Sequence, residues 1–100
     1  MASKEKMEKL TGLKIGDWVY GDDGATVTGV VNSMHDMWGD AEDAHGVLLS
    51  IIDPENPERF YRIKGDYVRK LKNSEPRKWK IDNPIFDGIK FSAHVALDKE

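Results

Sequence analysis

One hundred residues fit one domain with a modest core. The composition is that of a globular protein, with 39% apolar and 33% charged residues, and the chain has no cysteine, which excludes disulfides, thiolate metal sites and a cysteine nucleophile. The net charge of −3 hides a division: residues 17–58 hold ten acidic residues and no Lys or Arg, while residues 59–80 hold nine basic residues against Asp66 and Glu75.

In chain order, "SKEKMEKL" (3–10) reads as a short helix with Ser3 as N-cap. Met7 and Leu10 lie i, i+3, on one side, where they can dock on a domain. "DWVYG" is a short aromatic and β-branched strand that ends at the turn "GDDG". "ATVTGVVNSM" is a second strand, and Gly29 inside it signals a bulge or sharp bend. After a loop, "GVLLSII" has the near-continuous apolar character of a strand covered on both sides. "DPENPE" is a turn, "RFYRIK" a fourth strand and "YVRKL" a fifth. Alternation puts Tyr61 and Ile63 on one face of the fourth strand, with Phe60, Arg62 and Lys64 on the other. "NSEPRKWK" reads as a basic linker and "IDNPIFDG" as turn-rich. "IKFSAHVAL" alternates, with Ile89, Phe91, Ala93, Val95 and Leu97 on one face, and predicts an extra C-terminal strand.

The fold class expected is therefore mainly β: a small barrel of five bent antiparallel strands, with a short N-terminal helix and an added C-terminal strand. The divisions are 1–15 (helical extension), 16–72 (barrel) and 73–100 (C-terminal extension pairing with or packing on the barrel). "IGDWVYGDDGATVTGVV" resembles the opening of an SH3-like barrel of the KOW or Tudor kind, through Gly16-Asp17, Val19, Gly24 and Gly29-Val30-Val31. "RFYRIKGDYVRKL" resembles the last two strands of such barrels, joined by a tight or 3-10 turn. The resemblance implies a fold, and a KOW-like role would be binding to nucleic acid or to ribosomal and transcription proteins. The first hairpin departs from that pattern: Asp22 and Asp23 stand where such hairpins tend to carry lysines.

"MHDMWGDAEDAHG" (34–46) concentrates chemistry, with His35, Asp36, Asp40, Glu42, Asp43 and His45 inside eleven positions. Its spacing matches neither an H-x₃-H pair nor an EF-hand, so no metal and no cofactor is expected. No Ser/His/Asp signature or phosphate-cradling glycine loop occurs, and no catalytic residue is assigned. Met34, Met37 and Trp38 do not favour a solvated loop; they either fold back on the core or anchor a partner. With Asp40, Glu42 and Asp43 they define the expected site: a non-enzymatic surface for a larger, basic protein partner. The role would be that of a regulator or inhibitor, such as a phage-type host-takeover protein. The alternative is a KOW-like nucleic-acid surface from Phe60, Arg62, Lys64, Arg69, Lys70, Lys72, Arg77, Lys78 and Trp79, with Phe60, Arg62, Lys64 and Trp79 as its exposed cluster. A competing account of that segment is plain packing, or pairing of basic strands with the acidic half. A third reading is assembly of copies through 89–97. No apolar run is long enough to span a bilayer and no secretory signal opens the chain, so a cytoplasmic protein is expected.

Overall fold

The computed structural model describes residues 2–82. The described residues are mainly β: one helix, α1 (Lys4–Thr11), and six strands in one antiparallel sheet that curls like a small barrel. The strands are β1 (Trp18–Asp22), β2 (Thr26–Asp36), β3 (Val47–Asp53), β4 (Asn56–Lys64), β5 (Val68–Lys70) and β6 (Lys80–Asp82). Their order is β4-β3-β2-β1-β5, with β6 joined to β2. The 3-10 turns Ala44–Gly46 and Gly65–Tyr67 lead into β3 and β5. The predicted strand 89–97 lies outside the described residues. Among the described residues no helix is long and apolar enough to cross a membrane.

α1 is short, so its ends and its packing matter more than its propensity. The Ser3 side chain accepts from the Lys6 amide, and Gly12 closes the helix in the left-handed region at φ 71°. Met7 is buried and Leu10 packs on the core from the same side of the helix.

The core follows the period-two pattern. Val19 and Gly21 of β1, Val27, Gly29 and Val31 of β2, Val47, Leu49 and Ile51 of β3, and Tyr61 and Ile63 of β4 all face inward and are buried. β3 is not covered equally on both sides, because Leu48, Ser50 and Ile52 stay half-buried on the outer face. There Trp18, Val30, Ile52 and Phe60 fall opposite one another on four successive strands. This half-buried apolar row adds cross-strand contacts of a few tenths of a kcal/mol to about 1 kcal/mol per pair.

Two features depart from the sequence reading. The register shift in β2 falls between Val31 and Ser33, so the bulge is at Asn32 and not at Gly29. Gly29 marks a close approach instead: a Cβ there would lie 2.6 Å from the Ile52 carbonyl oxygen and 2.9 Å from the Trp79 ring. The second departure is the "basic linker". Trp79 and Ile81 pack on the core, and Lys80–Asp82 pairs with Thr26–Thr28 of β2. In "KWKID" the lysines are exposed while Trp79 and Ile81 pack on the core, a signal that the concentration of charge conceals.

A buried hydroxyl ties the barrel across its end. Tyr61 of β4 donates to both oxygens of Asp23 in the β1–β2 turn, at 3.1 and 3.0 Å. Burial, then the Asp23 charge and its hydrogen bond, push the tyrosine up to about 12. The folded state thus holds the phenolic proton more tightly than the unfolded chain, which releases it near pH 10. This contribution is intact below about pH 10 and is lost as pH rises through about 12. Tyr61→Phe is expected to cost about 1–3 kcal/mol at neutral pH, as for a bond to a charged acceptor. Urea unfolding at a series of pH values from neutral to strongly alkaline should show the variant losing less stability above pH 10 than the parent. Parallel curves would remove the tie.

Candidate functional site

The acidic segment 34–46 is neither one loop nor uniformly exposed. β2 carries on through Met34, His35 and Asp36 before the chain turns. Met34 is 8% exposed and belongs to the core, so its assignment to the partner-binding set is corrected. Its alternation with exposed His35 points it inward, where it folds back on the apolar interior. Met37 and Trp38 go the other way, at 38% and 56% exposure.

Asp36 is the organiser of the turn. Its carboxylate accepts from the Trp38 and Ala41 amides (both 3.1 Å) and, across the domain, from the Ala2 amide (2.7 Å). The Ala2 bond foremost, and the Ala41 and Trp38 bonds with it, hold this carboxyl below the usual aspartate range, against the opposing effect of burial. Because the carboxylate form is the one bonded, the order it confers is present above the ordinary aspartate range. It is lost only as pH falls through the lower folded value. Gly39 takes φ 80°, a left-handed reversal that suits glycine. Ala41 is fully buried and pins the middle of the turn, and Lys6 of α1 lies 3.3 Å from Asp40. Asp36→Ala should release residues 37–43 selectively. Limited proteolysis should cut there first, and hydrogen exchange at Trp38 and Ala41 should speed up while the amides of β3 stay protected. Unchanged exchange at those two amides would refute the latch.

Trp38 is exposed but held. It packs against Gly46, where a Cβ would lie 2.6 Å from its Cε3 atom. Its other neighbour is His45, with ring centroids 6.0 Å apart, and Tyr67 lies edge-on to His45 at 6.2 Å. His45 bridges two turns and a strand: Nδ1 is 2.8 Å from Asp66 and Nε2 is 3.2 Å from the Lys64 ammonium. A carboxylate accepts and an ammonium donates, so these bonds fit the imidazole with its proton on Nδ1. Asp43 caps the 3-10 turn by accepting from the His45 amide. Asp40, Glu42 and Asp43 remain exposed around Trp38. The face therefore consists of Met37, Trp38 and Tyr67 amid carboxylates. Tyr67, 44% exposed, comes from the turn before β5, and sequence separation hid its approach to His45, the neighbour of Trp38.

Among the described residues no three His, Asp or Glu side chains converge as a metal site. Five of the six candidate ligands of segment 34–46 are held by other groups: Asp36 and Asp43 by backbone amides, Asp40 by Lys6, His45 by Asp66 and Lys64, and His35 by the Ser33 hydroxyl at 3.2 Å.

Part of the basic segment is paired with carboxylates. Arg59 lies 3.8 Å from Asp53 and Lys70 3.9 Å from Asp17, both pairs joining the basic and acidic halves of the chain. Arg69 grips Glu75 through two bonds (2.7 and 3.0 Å), and its guanidinium covers the Tyr20 ring at 4.7 Å. That bidentate bond, with the Lys72 amide, takes Glu75 down to about 2. Phe60 and Arg62 do share the outer face of β4, with the guanidinium 5.4 Å from the ring centre. Trp79 does not join them. It is turned onto the core at Gly29, so its place in an exposed cluster with Phe60, Arg62 and Lys64 is corrected. Lys72, Arg77 and Lys78 are exposed on the chain that crosses from β5 to β6.

Comparison with protein-family models, with curated proteins and with solved structures finds no match for this chain.

Proposed function

We propose that this protein is a non-enzymatic interaction module that binds a basic surface of a larger protein through Met37, Trp38 and Tyr67, with Asp40, Glu42 and Asp43 around them. The observation that carries the reading is Trp38: a large ring, 56% exposed, fixed on Gly46 within a turn that Asp36 and Ala41 order. Solvent-exposed tryptophan is costly in water, and a pre-ordered ring loses little freedom on binding. Surrounding carboxylates speed encounter with a basic partner, and the rings supply affinity. A regulator or inhibitor needs no more than this. The scaffold we propose for it is an SH3-like barrel of the KOW or Tudor kind.

The test is a photo-crosslinking residue in place of Met37, used in an extract. A specific protein adduct is expected. It should weaken in Asp40→Asn/Glu42→Gln and at about 1 M salt, where the Debye length shrinks to about 3 Å. An adduct indifferent to both changes would sink the acidic-face reading.

A further inference from the structure

A second concave surface lies beside β1, β2 and β6, and Trp38 is not among the residues that line it. It is a cavity of about 610 Å³, within the size range of small-ligand sites. Tyr20, Thr28 and Lys80 line it as one cross-strand row, since Tyr20 pairs with Thr28 and Thr28 with Lys80. Thr26, Lys78 and Trp79 complete the polar and aromatic lining, and Leu71 and Pro76 add apolar wall.

The wall is built before any ligand arrives. The turn at 72–75 closes through the Glu75 amide on the Lys72 carbonyl (3.0 Å) and the Lys72 amide on the Glu75 carboxylate (2.8 Å). The two Arg69 bonds lock that carboxylate, and Arg69 is itself seated on Tyr20. Glu75 stays a carboxylate, and the Arg69 guanidinium paired with it offsets its charge toward an anion. The remaining lining charges are the Lys78 and Lys80 ammonium groups against one carboxylate, Asp82. Two lysines and two threonines among the lining residues offer ammonium and hydroxyl donors, which suit a phosphate. Trp79, Leu71 and Pro76 suit a planar ring, and Asp82 offers an acceptor for a sugar hydroxyl or a base N–H.

We propose that this cavity binds a nucleotide, with the phosphate toward Lys78, Lys80, Thr26 and Thr28 and the base against Trp79. The nucleotide is either free or one unit of a single strand. The site is independent of the Trp38 face.

The experiment uses the full chain, with the emission of its tryptophans, Trp18, Trp38 and Trp79, as the signal and calorimetry as a label-free check. The probes are a purine mononucleotide, its nucleoside, and a single-stranded oligonucleotide of about ten units, a length within single-strand site sizes. The mononucleotide is expected to bind saturably. The nucleoside should bind at least about tenfold more weakly, as the loss of charge-assisted bonds implies. Lys78→Met/Lys80→Met, both at exposed positions, should lose about tenfold or more for the mononucleotide while unfolding at the same urea concentration as the parent. Trp38→Ala should bind the mononucleotide like the parent. Competition between oligonucleotide and mononucleotide identifies a strand as the source, and mononucleotide binding without competition identifies a free nucleotide; both support the site. The proposal is overturned by no heat and no emission change with the mononucleotide at millimolar concentration. It is equally overturned by binding to the oligonucleotide alone, or by equal affinity in the double lysine variant.

Discussion

Gly29→Ala is expected to destabilise the domain by about 3 kcal/mol, at the upper end of overpacking effects. The added methyl would stand 2.6 Å from the Ile52 carbonyl oxygen, 2.9 Å from Ile51 Cγ2 and 2.9 Å from Trp79 Cε3. Two of these neighbours are fixed in place. The carbonyl belongs to β3, whose Ile52 is paired on both sides, with Val30 and with Phe60. Ile51 is fully buried. Trp79 is the part that yields, and moving it pulls β6 away from Thr26–Thr28. Urea unfolding measures the loss, and Trp79 emission should shift toward that of a solvated ring. A loss below about 0.5 kcal/mol, the level of ordinary surface substitutions, would mean that β2 and β3 separate easily at this corner.

Trp38→Ala should cost at least about 2 kcal/mol of affinity for the crosslinked partner, roughly 30-fold, as for an aromatic anchor. It should leave the unfolding midpoint almost unchanged, because most of the ring faces water. Gly46→Ala provides a second route to the same end. Its methyl would lie 2.6 Å from Trp38 Cε3 and 2.9 Å from the Ala41 side chain. Here the closest obstacle is an exposed ring, which can lift, and the Ala41 turn beneath it must shift as well. Affinity should fall with the ring intact, which separates loss of the side chain from loss of its placement. Full affinity in both variants would remove Trp38 from the interface.

The contrast between these two glycines shows what was legible in the chain. Gly29 announced itself by interrupting a valine-rich strand, and the sequence reading correctly marked it as unusual. The cause was different, however: the crowding comes from Ile52 and Trp79, which lie far along the chain. Gly46 gave no signal, since a glycine at the end of a polar loop looks like an ordinary turn. Tyr61 and Ile63 were placed inward by alternation alone, because a strand has only two faces and the polar residues of "RFYRIK" occupy one of them. Trp79 was misplaced because alternation was masked: in "KWKID" the outward lysines dominate the composition while the inward Trp and Ile carry the packing.

The sequence by itself determined the number and kind of elements between residues 3 and 72, the N-cap of α1 and the inward face of most strands. Those are local properties, set by caps, turn residues and a period of two. Tertiary structure alone decided that Asp36 latches a turn to Ala2, 34 positions earlier, and that Tyr67 joins Trp38 through His45. It also turned Met34 inward and left Met37 and Trp38 outside. A side chain's partner across a curved sheet depends on register and bulge, as at Asn32, and a one-residue change there exchanges one face for the other. The residue types that make the candidate surface were visible in the chain, and their assembly into a surface was a product of folding.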